Sequence, residues 1–207
     1  MKSRNSVDFI KNINLPGVLT GILMLMVPFL GSWWSVSFGQ IVDISLSPFH
    51  YEVFVMGEMV SIPLMNYVLM GMKALVLFGS TALILGSLFN SKEWSDRLSR
   101  FGFGKIFWPF VFFVISLLIL TFTINSLPEK VLSVDEPFKE TVDADIPYFV
   151  GTGMVEMEME DATASVPIRK STTRAFWISF FAISLGLFSQ KFYKQTVGPR
   201  KDKKGSI

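Results

Sequence analysis

Four long apolar runs constrain this chain more than any other feature. One of them contains a single charged residue, Lys73, and the other three contain none. A helix needs about 20 mostly apolar residues to cross a hydrocarbon core roughly 30 Å thick. The last run reaches that length over 172–192, since Arg174 and Lys191 can extend to the interfaces. The runs predict a mainly α-helical membrane protein with four transmembrane helices; they cover 15–36, 62–89, 106–127 and 175–189.

The first run also has the basic, apolar start of a signal peptide. A cleaved signal has a shorter apolar segment that ends at a small-residue site of the Ala-x-Ala kind. Here the first alanine of the chain is Ala74. We therefore expect a retained helix.

Charge divides the connecting segments into two classes. Both tails and the segment 90–105 are rich in lysine and arginine, whereas 36–63 contains neither and 125–173 has more acids than cations. Lysine and arginine concentrate on the cytoplasmic side of membrane proteins. The pattern predicts a multi-pass protein of the cell membrane with both termini in the cytoplasm.

These two patterns together give the expected boundaries of each segment. They are a cytoplasmic tail (1–14), a first span (15–36), an outer loop (37–62), a second span (63–89), a cytoplasmic loop (90–105), a third span (106–127), a second outer loop (128–172), a fourth span (173–192) and a basic cytoplasmic tail (193–207).

The basic C-terminal tail, "GPRKDKKGSI", predicts contact with the lipid bilayer. Lysines and arginines beside a span gain roughly 1 kcal/mol each from an anionic leaflet. A specific protein partner for the tail is the alternative, and no nucleic-acid partner is expected.

Both outer loops have the composition of β-strands. In the first loop, "QIVDISL", "FHYEVFV" and "MVSIPL" read as strands, with a glycine turn in "MGE" before the last. The second loop begins as an irregular acidic stretch and then offers "YFVGTGMVEMEMED" and "TASVPIRKS". Because two-stranded pieces are marginal alone, we expect one small extracytoplasmic β-sheet built from both loops.

Methionine and glutamate alternate in "GTGMVEMEMED". This period of two predicts a half-buried strand with its acids outward, as a candidate partner surface. A soft Cu(I) site is the alternative for the methionines, but no histidine or cysteine is nearby, and we expect no metal or cofactor. One face carries Val155, Met157 and Met159, and the other carries Glu156, Glu158 and Glu160.

Lys73 is the one charge inside a predicted span and the candidate intramembrane contact. Placing lysine at the centre of a transmembrane helix costs about 3 kcal/mol on insertion scales. None of the four runs contains Asp or Glu. Three interpretations follow: an extended or structurally paired side chain, contact with a carboxylate of another subunit, and transport.

Tryptophan favours the membrane interface because its ring is apolar and its N–H needs a polar partner. Trp33, Trp34 and Trp108 lie near the expected span ends and are predicted interface anchors.

Small residues such as Gly17 and Gly21 let helices approach closely. We expect them to serve internal packing first, with a homo-oligomer contact as the alternative.

The plan of spans and loops resembles the claudin and PMP22-like group of four-span proteins. Pro28, Trp33 and Trp34 near the end of the first span are similar to that group. The resemblance implies both termini inside, strands in the first outer loop and a second loop that adds to the sheet. The chain lacks the Trp-Gly-Leu-Trp motif of claudins, and it cannot form their disulfide because it has no cysteine. Junction formation is therefore not implied.

No acid–base pair, nucleophile or phosphate-binding motif can be named in the sequence, so no enzymatic activity is expected. The single histidine, His50, is expected to be a surface residue. We expect a structural or accessory subunit whose extracytoplasmic sheet binds a partner protein. The alternative is a small transporter or metal-handling protein that uses Lys73 or the Met/Glu strand.

Overall fold

A computed structural model of the chain describes residues 13–39, 41–90, 92–131, 142–145, 147–159 and 162–196. Within these residues it contains four α-helices and one antiparallel β-sheet. The helices are α1 (Leu15–Met26), α2 (Pro63–Leu88), α3 (Ser95–Val131) and α4 (Arg174–Thr196), and a short 3-10 helix (Val27–Phe29) extends α1. The strands are β1 (Trp34–Phe38), β2 (Val42–Ser47), β3 (His50–Val55), β4 (Glu58–Met59), β5 (Val142–Asp145), β6 (Gly151–Met159) and β7 (Ala162–Thr172).

Two of these helices are long and apolar enough to cross a membrane. They are Pro63–Leu88, with a mean hydropathy of 2.0, and Ser95–Thr123, with 2.4. Leu15–Phe29 is a shorter apolar helix. Among the described residues, length and composition therefore support two candidate spans.

The chain forms two compact units. Of the residues that the structure describes, the helical unit contains those within Met1–Met26, Leu75–Phe107 and Ser179–Ile207, and the sheet unit contains those within Val27–Ala74 and Trp108–Ile178.

Glycines bring the helices of the helical unit into close contact. A Cβ added at Gly79 of α2 would lie 2.7 Å from the Lys105 Cβ and 3.0 Å from the Gly102 carbonyl oxygen of α3. A Cβ at Gly21 of α1 would collide with the Ile84 Cγ1 atom of α2. Real Cβ atoms almost never approach so closely, so a larger residue at either position would force its neighbours to shift. Gly21 and Gly79 therefore serve internal packing.

The sheet unit joins strands from both predicted outer loops, as the sequence indicated. Its strand order is β4-β3-β2-β1-β7-β6-β5, with every neighbour antiparallel. Strand β1 lies at the centre: Trp34 faces Leu46 of β2 on one side and Thr172 of β7 on the other. The first loop and the second loop are thus connected through β1.

Strand β1 starts within the apolar run that the sequence assigned to the first span. α1 ends at Met26, and the chain turns at Gly31, whose φ is +85°. Pro28 has no N–H to continue a helical ladder, and glycine adopts positive φ without strain. An uncharged run therefore contains a helix, a turn and the start of a strand.

Two further strands differ from the sequence interpretation. The segment "MVSIPL" supplies only Met59 to β4 and then leads into α2. Strand β4 has two residues, Glu58 and Met59, which pair with Val55 and Phe54. Strand β5 lies in a stretch expected to be irregular, and it pairs with β6. The extent of these strands depends on backbone pairing with a neighbouring strand, which the local sequence pattern does not indicate.

Candidate functional site

Trp33 is the centre of an aromatic core in the sheet unit. Its ring is 0% exposed and lies 5.2 Å from the Phe113 ring and 5.6 Å from the Phe49 ring, both edge to face. Phe110 and Phe176 complete the cluster at 5.7 and 6.3 Å. Edge-to-face pairs at these distances each add about 0.5–1.5 kcal/mol beyond the area they bury.

Trp34 is also fully buried, and its indole N–H donates to the Phe149 carbonyl oxygen at 3.0 Å. The structure therefore places Trp33 and Trp34 inside the protein, whereas the sequence predicted interface anchors. Trp34 lies on the inner face of β1, and a sheet that covers aromatic side chains offers them more apolar contact than an interface does. Trp108, on α3, is 68% exposed, and its role as an anchor stays a prediction.

Lys170 is a buried cation that sequence reasoning missed. Its side chain is 1% exposed, and its ammonium donates to the Asn125 Oδ1 atom of α3 at 3.1 Å. Burial lowers the pKa of the Lys170 ammonium, because desolvation penalises the charged form. No carboxylate lies within 4.0 Å of it in the described part of the chain.

The alternation of inward and outward residues along β7 indicates that Lys170 faces inward. Ile168 is 1% exposed and Lys170 shares its face of the strand, whereas Arg169 between them is exposed. Lys170 pairs with Val36 of β1 and Gly151 of β6, so it faces the core of the sheet. The period-two pattern of "PIRKS" therefore indicated an inward lysine, although lysine is rarely fully buried.

The acidic candidate surface on β6 is described only in part. Met154 is 46% exposed and Glu156 is exposed, while Val155 between them is half-buried, as the alternation predicted. Glu158 lies on the same strand without a described side chain, and Glu160 lies outside the described residues. Beside Met154, an open groove of about 540 Å³ is bordered by Ser37, Thr152 and Arg169.

Histidine and the acids form no metal site among the described residues: no group of three or more His, Cys, Asp or Glu side chains occurs there. His50 Nε2 lies 3.1 Å from Glu52 Oε1, and both side chains are partly exposed. This agrees with a surface role for His50.

The turn between β3 and β4 is apolar and exposed. Met56 is 79% exposed and has a φ of +52°, a left-handed conformation that L-residues other than Asn and Asp rarely adopt. Its backbone N–H donates to the Ile41 carbonyl oxygen at 2.7 Å. Ile41, Val55 and Met59 beside it are 46%, 38% and 57% exposed. We call Ile41, Val55, Met56 and Met59 the hairpin tip.

The first three turns of α2 are exposed on most sides. Leu64, Tyr67 and Met70 are 73%, 75% and 71% exposed, and a Cβ added at Gly71 would meet nothing within 4 Å. Lys73 is half-buried and has no carboxylate within 4.0 Å among the described residues. We call 63–74 the uncovered segment.

Comparisons with protein-family models, with curated proteins and with solved structures found no match to this chain.

Proposed function

We propose that this chain is a non-enzymatic membrane protein with four spans, both termini in the cytoplasm, and the claudin-like arrangement that its sequence resembles. In this proposal it is an accessory subunit whose extracytoplasmic sheet binds a partner protein. The uncharged runs and the unequal distribution of lysine and arginine support the topology. The fold's two long apolar helices are consistent with it.

The hairpin tip is the observation that carries the partner-binding role. Four apolar side chains of one hairpin are exposed, in a segment whose sequence pattern predicts an aqueous surrounding. Exposed apolar patches on such surfaces commonly mark interaction sites. Met56 also holds a conformation that glycine or asparagine would adopt at lower cost, and such outliers cluster at binding sites.

Charge favours a protein over a lipid surface as the occupant of the hairpin tip. The segment 36–63 contains no lysine or arginine, and its acids include Asp43, Glu52 and Glu58. An anionic membrane attracts basic surfaces and repels acidic ones. An apolar patch with acidic surroundings fits a partner surface that is apolar with basic residues at its rim.

Purification from the native membrane tests this role. Met56→Asp is expected to lower the recovery of a co-purifying protein about tenfold, which corresponds to roughly 1.4 kcal/mol. Met154→Asp is the matched control, because it makes the same change at an exposed methionine of β6 in the same sheet. Loss with Met154→Asp alone would move the partner surface to the acidic side of the sheet. Recovery of the chain alone, from every sample, would overturn the accessory role.

The topology has its own test, because the chain contains no cysteine. Thr152→Cys and Lys92→Cys place single thiols at exposed positions. A membrane-impermeant maleimide should label Thr152→Cys in intact cells and Lys92→Cys only after permeabilisation. Labelling of both thiols in intact cells would contradict the proposed orientation.

A further inference from the structure

The uncovered segment has a polar stripe that lipid does not explain. Asn66, Met70 and Lys73 lie on one side of α2, at the spacing i, i+4 and i+7. Asn66 is exposed, Met70 is 71% exposed and Lys73 is half-buried. Acyl chains offer no hydrogen-bond partner to an ammonium, so the lysine of this stripe favours a protein neighbour.

The position of Lys73 makes an escape to the headgroups difficult. It follows Pro63, the first residue of α2, by ten residues, which is about 15 Å of helix at 1.5 Å per residue. If α2 enters the hydrocarbon core at Pro63, that is about half of a 30 Å core. The four-carbon stem of lysine is much shorter than this depth, so its ammonium needs an anionic partner within the membrane.

A second copy of this chain does not supply that partner. The four apolar runs contain no Asp or Glu, so a symmetric contact along the stripe would bring one Lys73 towards another. Like charges in a medium of low dielectric repel strongly. The complementary surface must come from a chain with a carboxylate at this depth.

We propose that the stripe of Asn66, Met70 and Lys73 binds a transmembrane helix of a different protein, and that an Asp or Glu in that helix pairs with the Lys73 ammonium. This inference rests on the proposed function as an accessory membrane subunit, and it identifies the chemistry of the partner. The second helix also offers a hydrogen-bond acceptor to Asn66, two turns before the ion pair. A small residue in it would let the two backbones approach closely.

Photo-cross-linking in native membranes tests this contact. Met70→Cys carries a thiol-reactive benzophenone, and Phe112→Cys is the matched control, since Phe112 of α3 is 68% exposed. Neither site competes with a native thiol, because the chain has no cysteine. Met70→Cys is expected to give a cross-linked peptide from a different protein, in an apolar segment that contains Asp or Glu. Phe112→Cys is expected to give lipid adducts instead.

Substitution of Lys73 then tests the ion pair in the Met70→Cys background. Lys73→Met should lower the yield of this cross-link about tenfold, while Lys73→Arg should keep it within about twofold. Size-exclusion profiles in detergent verify that the variants fold, which is expected because methionine is favourable in an apolar helix. An equal yield from Lys73→Met would overturn the ion pair.

Other results separate this inference from the proposed function. Cross-links of the chain to itself, or lipid adducts alone at Met70→Cys, would overturn the helix contact. If a partner still co-purified and Met56→Asp lowered its recovery, the sheet would still bind a partner even without the helix contact. If no partner co-purified and no heterologous cross-link formed, both proposals would fall.

Discussion

The two halves of α2 have similar apolar composition and opposite surroundings. In the second half, Val76 and Leu83 are 0% and 1% exposed, and Gly79 lies against α3. In the first half, Leu64 and Tyr67 are more than 70% exposed. A hydropathy profile indicates whether a helix can be surrounded by hydrocarbon, and both halves of α2 are apolar enough for that. Only the structure shows which half already has protein neighbours.

The largest expected difference between covered and uncovered side chains concerns two aromatic residues. Trp33→Ala removes the centre of the aromatic core and should lower the free energy of unfolding of the purified chain by about 3–5 kcal/mol. Tyr67→Ala, at a position 75% exposed, should change it by no more than about 0.5 kcal/mol. Denaturant unfolding in a mild detergent measures both. Equal losses would mean that the first half of α2 is covered within the chain itself.

Gly79 and Gly71 allow covered and uncovered positions to be compared within α2. Gly79→Ala places a methyl group 2.7 Å from the Lys105 Cβ, and we expect a loss of about 1–3 kcal/mol from overpacking. Gly71→Ala meets open space and should keep the stability of the purified chain or raise it by up to ~1 kcal/mol, because alanine is the better helix former. The midpoint of thermal unfolding distinguishes them. A destabilised Gly71→Ala chain would contradict the open position.

The smallest effect concerns the pH dependence that Lys170 imposes. Its lowered pKa means that the folded chain binds fewer protons here than the unfolded chain, so stability rises with pH. The rise begins above the folded-state pKa and ends near 10.5, the ordinary lysine value. Lys170→Met should reduce the increase in unfolding free energy across this window relative to the wild type. Identical slopes would indicate that the buried amine is not desolvated.

Much of the sheet could be predicted from sequence because its strands obey a period of two. The segments "QIVDISL", "FHYEVFV" and "TASVPIRKS" correspond to β2, β3 and β7. Strand β1 was missed, because its apolar start merged with a helix that needs the same residue types. Its place between β2 and β7 is a long-range pairing that no local pattern contains.

The site was predicted less well for a physical reason. Lys73 was a candidate because it is a charge in an apolar run. Lys170 lies in a segment of polar composition, yet it is the more buried of the two. Burial depends on what folds over a residue. For Trp33 and Trp34, the sequence indicated a preference for apolar contact with one polar partner, and the sheet unit satisfies that preference internally for Trp34 through Phe149.

Oxygen accessibility of spin labels along the uncovered segment shows whether a protein helix covers it in native membranes. Single cysteines at Leu64, Asn66, Val68 and Met70 would be labelled and measured by electron paramagnetic resonance, in native membranes and in purified chain reconstituted in lipid. We expect the Asn66 and Met70 positions to lose oxygen accessibility and mobility only in native membranes, while Leu64 and Val68, away from the stripe, stay accessible in both. High accessibility at all four positions in both preparations would contradict it, because lipid alone would then surround the segment.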